Sequence, residues 1–474
     1  MANMHRSGSL LLAVCVALAL RGQQAPPSPE RPFAVSSGLE MRIDTGRIFE
    51  ARPALEDSHA YTLPELVDIA EKNNPQTRVL WEQAKQRAAA AGVARSALFP
   101  TVAALASASY SQYSLFVTRF YHENLATFPA TLSVNYTVFD FGTRGAKIDQ
   151  AKANLLAADF AFNDTHRTVI FQVAEAYYRL LDAMSQEESA RATLTDAQTV
   201  QQAIEAKLAN GLATLPDVLE ARAATAQMRY ELASIHGLED IAHGVLANVL
   251  GVSPSSPFLV EDVSKAPLPE TVEQSVQTII SRALTQRPDL LAEAASLRSA
   301  DAAIRRAHSA YYPTLSFSGD WGHRNSYGSQ NFNPVISSHI YPYSAQLNLN
   351  WTIFDGGSRR NEFARAEAQR SEAKARVEVS RNQIENEIWT AYSNLKTAQD
   401  RREAADALLE AAEQSYTAAT RSFQAGVRTF IDVTTAQRDL ARARTAQASA
   451  RIEVLAALAD LAFRAADPIN AAQH

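Results

Sequence analysis

The sequence repeats itself at a nearly constant offset. The segment at residues 138–142, VFDFG, returns as IFDGG at residues 353–357, which is 215 positions later. Gly211 returns at the same offset as Gly426. A repeat across this span indicates two copies of one structural unit. Because the period is far longer than that of a solenoid, each copy must form a complete half of the architecture.

The composition excludes several classes of protein. Charged residues make up 20% and aromatic residues 8% of the chain, which argues against disorder. The net charge of -6 leaves no basic excess to attract nucleic acid. The single cysteine, Cys15, allows neither a disulfide framework nor a cysteine metal site. The histidines are scattered, and phosphate-binding loops and nucleophile elbows are missing, so we expect no catalytic residue, no cofactor and no metal.

The first residues have the form of an export signal. Arg6 precedes an apolar run over residues 10–20, so residues 1–21 are predicted to be a signal peptide. The run is too short to span a bilayer. In an alternative interpretation, Cys15 is a lipid-attachment cysteine. Prolines concentrate in residues 22–58, which are predicted to be an extended N-terminal segment.

The first repeat is predicted to cover residues 59–268 and the second residues 269–467, followed by a short tail at residues 468–474. Each repeat opens with a helical stretch, at residues 63–97 and 272–310. A proline inside each stretch bends or breaks the helix. A second proline ends it, because the residue before a proline favours extended backbone. These prolines are Pro75 and Pro100 in the first repeat and Pro288 and Pro313 in the second.

A β-hairpin is predicted next in each repeat, at residues 101–140 and 314–355. Its second strand alternates apolar and polar residues, which is typical of a strand with two different faces. The apolar members are Leu132, Val134, Tyr136 and Val138 in the first repeat, and Leu347, Leu349, Trp351 and Ile353 in the second. The weaker first strands and the loops after them are predicted at residues 101–116, 117–126, 314–327 and 328–339.

A long helix follows each hairpin. Neither glycine nor proline occurs in residues 146–210 or 358–425, and at 1.5 Å per residue each helix would be about 100 Å long. The apolar residues of the second long helix have coiled-coil spacing. They are Ile384, Ile388, Ala391, Leu395, Ala398, Ala405, Leu409, Ala412 and Tyr416. Gly211 and Gly426 end the long helices. A second helix then returns, which gives helical hairpins at residues 143–250 and 358–466.

Four strands with one apolar face cannot close on themselves. In hydrocarbon an open sheet edge leaves backbone groups unpaired, at a cost of several kcal/mol each. The sequence therefore predicts that two or three chains associate edge to edge. The polar face suits a water-filled lumen, and Tyr110, Tyr136 and Trp351 suit an aromatic girdle at the membrane interface.

Two duplicated motifs give the chain a resemblance to TolC-type outer-membrane efflux channels. A Phe-Asp-x-Gly junction lies at residues 139–142 and 354–357, and a Gly-x-x-Thr turn at residues 211–214 and 426–429. The resemblance covers residues 61–463. Its junction residues are Phe139, Asp140, Gly142, Phe354, Asp355 and Gly357.

The resemblance implies a mainly α-helical fold with a membrane β-barrel. Three chains would build a twelve-stranded barrel in the outer membrane and a long α-helical tunnel in the periplasm. The implied partners of this homotrimer are outer-membrane lipid, a periplasmic adaptor protein and, through the adaptor, an inner-membrane pump of RND or ABC type. Nucleic acid is not among the expected partners.

The resemblance also places the helical turns at the periplasmic mouth of the tunnel. Asp217 and Asp432 would form the pore constriction, and Asp432 matches the first acidic ring of the family. Thr435 stands at the second ring position, so strong block by cations is in doubt. The residues implied to contact the adaptor are Gly211, Leu212, Gly426 and Val427.

A hydrogen-bonded latch holds this mouth shut in the family. Arg428 and Asp217 match two latch positions, but their partners are replaced here. Phe423 stands where the family has a tyrosine, and Pro216 where it has a threonine. Phenylalanine has no hydroxyl group, so we expect a weaker or differently built latch.

Each of these residues also has a purely structural interpretation. Asp217 and Asp432 begin returning helices, where a carboxylate stabilises the helix N-terminus. Arg428 in a turn can equally be a solvated charge. Asp140 and Asp355 are better explained as helix caps at the junction than as channel selectors.

The sequence as a whole indicates a passive exit channel of a tripartite efflux pump, located in the outer membrane with most of the chain in the periplasm. One alternative is an outer-membrane duct for type I protein secretion. The other is a periplasmic coiled-coil scaffold that never enters a membrane. The substrate and the class of pump are left open.

Overall fold

The structure, a computed structural model, describes residues 55–116, 120–263, 275–330 and 336–466. The predicted signal peptide, Cys15, most of the extended N-terminal segment and the C-terminal tail lie outside these residues.

Within the described ranges each repeat contributes four helices, and corresponding helices have nearly equal lengths. The first repeat holds α1 (Leu63–Asn73), α2 (Pro75–Ser96), α3 (Thr143–Ala209) and α4 (Leu215–Leu250). The second holds α5 (Val276–Gln286), α6 (Pro288–Ser309), α7 (Ser358–Gln424) and α8 (Phe430–Arg464). The long helices α3 and α7 have 67 residues each. None of the helices in the described ranges combines the length and the apolar character needed to cross a bilayer.

The proline inside each opening stretch divides it into two helices, as predicted. Asn74 separates α1 from α2, and Arg287 separates α5 from α6, both with extended backbone. The following proline disfavours helical backbone at these two residues and then starts the next helix. Asn74 also caps α2, because its side-chain oxygen accepts a hydrogen bond from the backbone of Gln76 at 2.8 Å.

The described strands form a small parallel pair and a larger antiparallel sheet. The pair consists of β1 (Ala60–Tyr61) and β5 (Leu259–Val260). The sheet consists of β2 (Thr101–Ala106), β3 (Ser109–Phe116), β4 (Phe120–Phe139), β6 (Thr314–Gln330), β7 (Ile336–Ile340) and β8 (Tyr343–Asn350). Strands β2 and β3 both pair with β4, β4 pairs with β6, and β6 pairs with both β7 and β8. The sheet therefore has the four predicted strand positions, although both outer positions are interrupted.

The strand register sorts apolar and polar residues onto opposite faces of this sheet. Residues directly opposite each other on neighbouring strands lie on the same face. One apolar row across the four positions is Ala104, Leu132, Trp321 and Tyr343. One polar row is Thr101, Asn135, Ser318 and Gln346. The predicted two-faced character of the strands is thus confirmed near the helical end of the sheet.

Both predicted loops between strands were too long. In the segment at residues 117–126, β4 already begins at Phe120 and pairs with β3 through its backbone. In the segment at residues 328–339, β6 continues to Gln330 and β7 adds further pairing. Mixed polarity suggested loops here, but backbone pairing with a neighbouring strand overrides that local signal.

The second hairpin ends earlier than predicted. Strand β8 stops at Asn350, whereas the alternating pattern continues to Ile353. Pairing with β6 ends at Thr314, which lies opposite Asn350, so residues beyond it have no partner strand. The indole Nε1 of Trp351 instead donates a hydrogen bond to the carbonyl of Tyr311 at 3.1 Å.

The small parallel sheet was not predicted from the sequence. The backbone N–H of Glu261 extends its pairing by donating to the carbonyl of Tyr61 at 3.0 Å. The Tyr177 hydroxyl on α3 donates to the carbonyl of Glu261 at 2.7 Å. Burial raises the pKa of Tyr177, consistent with this enclosed position. The sheet is therefore fastened to the long helix of the first repeat.

The helices form a coiled-coil core, and α3 is more enclosed than α7. Ile384, Ile388 and Leu395 in the predicted stripe of α7 are buried, which confirms that stripe. Helix α3 packs against α1, α2, α4, α6 and α8, whereas α7 packs against α5, α6 and α8. The other face of α7 leaves large apolar side chains uncovered, including Trp389 with 58% of its surface exposed.

Candidate functional site

Each long helix ends in the same glycine turn. Gly211 and Gly426 adopt the left-handed region with φ of 73° and 74°. The N–H of Leu212 donates to the carbonyl of Lys207 at 2.8 Å, which satisfies a carbonyl at the end of α3. Val427 makes the corresponding bond at the end of α7, at 2.9 Å. A side chain with a β-carbon would be strained at either glycine.

The aspartates predicted at the constriction close matching capping boxes. The Asp217 carboxylate accepts hydrogen bonds from the backbone N–H of Thr214 at 2.8 Å and from its hydroxyl at 2.6 Å. The Asp432 carboxylate accepts from the N–H and hydroxyl of Thr429 at 3.1 and 3.0 Å. Both carboxylates are half-buried. The predicted capping role of these aspartates is confirmed.

Phe423 occupies an apolar cluster beneath the turns. Its ring lies 5.5 Å from that of Phe430, and the ammonium group of Lys207 lies 4.6 Å from its centroid. Ile204 of α3 and Val218 of α4 belong to the same buried cluster. Phe423 therefore joins the two helical hairpins by packing rather than by a hydroxyl hydrogen bond.

Arg428 lies in the second turn, between the end of α7 and the start of α8. It is exposed, and it makes no hydrogen bond or ion pair with any residue of the described ranges. Pro216 lies exposed in the first turn of α4, where its missing N–H leaves no helical bond unmade. The Thr435 hydroxyl donates to the carbonyl of Ile431 at 2.8 Å. The structure therefore does not bring Arg428, Pro216 and Phe423 together as one bonded latch.

Two contacts between the repeats were missed by the sequence reasoning. The hydroxyl of Thr434 on α8 donates to Glu220 on α4 at 2.9 Å. The guanidinium of Arg444 on α8 donates to Asp196 on α3 at 2.7 Å. These residues are more than 200 positions apart, and no local pattern pairs them. Both contacts fix one hairpin against the other near the turns.

The tips of both hairpins expose apolar side chains. Leu212 is 76% exposed and Val427 is 79% exposed. Leu215 and Leu219 on α4 and Ile431 on α8 are also exposed. Isolated surface leucines need no explanation, but a group of them at one end suits contact with another protein.

The junction between sheet and helix is an arginine clamp present in both repeats. In the first, the Asp140 carboxylate accepts from the backbone N–H and the Nε of Arg144 at 2.8 and 3.0 Å. In the second, Asp355 accepts the same pair of bonds from Arg359 at 3.0 and 2.7 Å. Arg144 also donates to the carbonyl of Val138 in β4, and Arg359 donates to that of Ile353, three residues beyond the end of β8. The predicted role of both aspartates as junction caps is confirmed, while their arginine partners, four residues later in each repeat, were missed.

Glycine permits the change of direction at these junctions. Gly142 and Gly357 have φ of 93° and 87° immediately before the long helices. The preceding residue also has positive φ, and it is Gly356 in the second repeat but Phe141 in the first. The Phe141 ring stacks on Tyr312 of the second repeat at 4.9 Å, so this strained residue gains a contact between the repeats.

Comparison with known proteins agrees with the duplicated architecture. The family model for outer membrane efflux proteins matches residues 66–252 and again residues 279–465. Protein CyaE of Bordetella pertussis is 31% identical over 72% of this chain and 71% of its own length. The pyoverdine export outer membrane protein OpmQ of Pseudomonas aeruginosa is 26% identical over 84% of this chain and 81% of its own. The solved CmeC outer membrane channel of Campylobacter jejuni has a TM-score of 0.74 at 18% identity, covering 93% of this chain and 94% of CmeC.

The chain therefore belongs to the outer membrane efflux protein family. It is an outer-membrane exit channel for efflux, with most of its length in the periplasm. The resemblance that the duplicated motifs indicated is confirmed. The scaffold that never enters a membrane is excluded, because the family consists of channel and transport proteins.

Proposed function

We propose that three copies of this chain assemble edge to edge into a passive conduit for substrates from the periplasm to the exterior. The observation that carries this proposal is the two-faced sheet. Among the described strands, β2 and β3 pair only with β4, and β7 and β8 pair only with β6, so both outer edges are free. Joining such edges in a ring places the apolar faces toward lipid and the polar faces toward water.

The repeat itself supplies a model for the contact between subunits. Within one chain α8 of the second repeat packs on α3 of the first. The equivalent contact between chains joins α4 of one subunit to α7 of the next. Both helices have exposed apolar residues to offer, such as Tyr230 on α4 and Trp389 on α7. Three chains then give six equivalent helical hairpins around one bore.

The narrow end of this conduit is placed at the helical turns. A ring of Asp432 carboxylates, one from each chain, would attract cations and form a constriction together with Asp217. Arg428 bonds to none of the described residues of its own chain, so a contact with a neighbouring subunit is its proposed role as a latch. Phe423 and Pro216 cannot supply the hydrogen bonds of the family's latch. Apolar packing at the turns therefore contributes more to keeping the mouth closed than it would beside such a latch.

The exposed tips are the proposed contact with a periplasmic adaptor. Leu212, Val427 and the glycines Gly211 and Gly426 present an apolar, backbone-rich surface at the end of the tunnel. Through the adaptor the channel serves an inner-membrane pump of RND or ABC type, which supplies the energy. Two relatives are named for small solutes as cargo, OpmQ for pyoverdine export and CusC for cation efflux, whereas the name of CyaE states no cargo.

The test combines assembly with conductance. The full chain purified in mild detergent is expected to have the mass of a trimer by native mass spectrometry and to open water-filled pores in planar bilayers. Placing a charge at the proposed subunit contact, Trp389→Glu, is expected to abolish both. Leu259→Glu, on an exposed residue of the small sheet, is the matched control and should leave both intact. A monomeric wild-type protein without pores would overturn the proposal.

A further inference from the structure

Away from the turns, the first helical hairpin carries a compact group of metal-ligating side chains. Glu187 on α3 and His236 and Glu239 on α4 each offer one donor atom, and the three atoms lie within 4.8 Å of one another. The Nδ1 of His236 lies 3.2 Å from an Oε atom of Glu187. Within the described ranges this is the one group of at least three such residues whose donor atoms converge.

The burial and pairing of Glu187 make the group unusual for a helix surface. Only 10% of the Glu187 side chain is exposed, and one of its oxygens accepts a hydrogen bond from Arg191 at 2.6 Å. Donor oxygens of Glu187 and Glu239 also lie within 4.8 Å of each other. Two carboxylates this close repel each other, and a bound cation would relieve that repulsion.

We propose that Glu187, His236 and Glu239 form a binding site for a divalent first-row transition metal ion of the Zn²⁺ type. An imidazole with two carboxylates is a ligand set that such ions accept, and water can complete the coordination. In a zinc site the ligand bonds are about 2.0–2.2 Å long, so the donors must draw slightly closer than they lie here. His236, whose side chain is 62% exposed, has the freedom to make that movement.

The surroundings of the group fit a metal site with an open position. A cavity of about 390 Å³ lies beside it and is also lined by Met184, Glu188 and Asp262. A water ligand has room there, and the two further carboxylates keep the approach negative. Arg191 holds one oxygen of Glu187 and leaves the other directed toward His236. Such a second contact to a ligand fixes its orientation.

The second repeat carries no equivalent group. At the offset of 215 positions, Arg402, Arg451 and Val454 stand in place of Glu187, His236 and Glu239. A bound ion would therefore link the long helix α3 to the returning helix α4 in the first hairpin and leave the second hairpin unlinked. The site would therefore stabilise the first helical hairpin, and not the second, in a metal-dependent way.

Zinc binding to the purified full chain tests the proposal without relying on conductance. The protein, with any affinity tag removed, is stripped with a chelator, dialysed and titrated with ZnCl₂ at neutral pH by isothermal calorimetry. We expect one ion per chain. His236→Gln and Glu239→Gln should each weaken binding at least about tenfold, because each removes a ligand. At equal zinc concentration, zinc should also raise the melting temperature of the wild type more than that of His236→Gln.

Two matched variants separate this site from incidental surface binding. His166→Gln alters a histidine that lies 3.2 Å from a single carboxylate, that of Glu71, without a third donor. Glu175→Gln alters a glutamate of α3 that pairs with an arginine four residues later, as Glu187 does. Both should bind zinc like the wild type. The absence of binding, equal binding by His236→Gln and Glu239→Gln, or equal affinity for Ca²⁺ would each overturn the assignment.

Discussion

The two repeats of this channel contain the same helices, turns and junctions, but they differ in the polar and charged residues at equivalent positions. Their opening helices have 11 and 22 residues in both copies, and their long helices have 67. Turns, capping boxes and junction clamps recur with nearly the same geometry. What differs is the polar residue placed at equivalent positions, as with Asn74 and Arg287 between the opening helices. Backbone requirements therefore fix the glycines, prolines and caps, while the remaining polar positions are free to differ between the copies.

The largest difference in stability between the repeats is expected at the residue that separates the two opening helices, which is Asn74 in the first repeat and Arg287 in the second. Arg287 has only 6% of its side chain exposed and pairs with Asp289 at 2.6 Å and with Glu387 at 2.9 Å. Glu387 keeps a second partner in Arg464, whereas Asp289 relies on Arg287 for its ion pair. Removing one member of a buried ion pair costs about 3–5 kcal/mol, and Arg287→Ala should lie at the lower end of this range.

The first repeat supplies the matched variant. Asn74→Ala removes the cap to Gln76 and a bond to the carbonyl of Val249, but no charge is left unpaired. Its expected cost is about 1–2 kcal/mol. Thermal unfolding followed by circular dichroism should therefore show a larger drop in melting temperature for Arg287→Ala. Equal drops would mean that the charge at this position contributes no more than a neutral cap.

Acidic pH should reduce the difference in melting temperature between wild type and Arg287→Ala. Burial by itself would raise the pKa of Asp289 and of Glu387, but hydrogen bonds and the nearby positive charge of Arg287 lower both overall. A carboxyl group with a lowered pKa stabilises the fold above its ordinary pKa, here 3.8 and 4.5, and loses that contribution as the pH falls through its folded value. Asp164, Arg167 and Arg464 are the neighbouring charged groups.

The measurement is a pair of melting curves for wild type and Arg287→Ala at neutral pH and again in acid well below pH 3.8, because the pKa values of Asp289 and Glu387 in the folded protein lie below their ordinary values of 3.8 and 4.5. The gap between the two melting temperatures should narrow in acid. A gap that stays constant would show that Arg287 acts through packing of its aliphatic part rather than through its carboxylate partners.

The sequence allowed prediction of the features that depend on local rules. Gly211 and Gly426 end helices because only glycine readily takes the left-handed conformation there, and Pro75 and Pro288 divide helices because proline cannot continue them. Strand alternation identified the two faces of the sheet. It failed near Phe120 and Ile353, where the presence or absence of a partner strand, rather than the residues themselves, decides whether the chain is extended.

The candidate sites were harder to predict from the sequence, because the residues that form them are far apart along the chain. Arg287 meets Glu387 across 100 positions, and Glu187 meets His236 across 49. Scattered histidines led us to expect no metal site, whereas the return of α4 along α3 brings His236 back to Glu187. The arginines of the junction clamps could have been predicted from the sequence, since the spacing Asp-x-x-x-Arg occurs in both repeats.

A smaller effect on stability is expected at Asp432, because its carboxylate is both a capping group and a charge. Asp432→Asn removes the carboxylate charge but keeps an oxygen that can accept the capping bonds from Thr429. If Asp432 forms a ring in the assembled channel, block of conductance by multivalent cations should weaken several-fold while the melting temperature changes little, since the amide oxygen of asparagine at this third helical position can still accept the capping-box bond from the N–H of Thr429. Asp217→Asn is the matched change in the first repeat. Unchanged block in Asp432→Asn would place this aspartate outside the constriction.

The smallest structural effect and a distinct functional one are expected at Arg428. The equivalent position of the first repeat is Ala213, so the scaffold does not require a charge there. Because Arg428 is exposed and bonds to no described residue of its own chain, Arg428→Ser should leave the free energy of unfolding within about 0.5 kcal/mol of the wild-type value. If Arg428 latches onto a neighbouring subunit, single-channel recordings should show higher conductance or longer openings. A channel that behaves like the wild type would identify Arg428 as a solvated charge, and closure would then depend on the packing around Phe423.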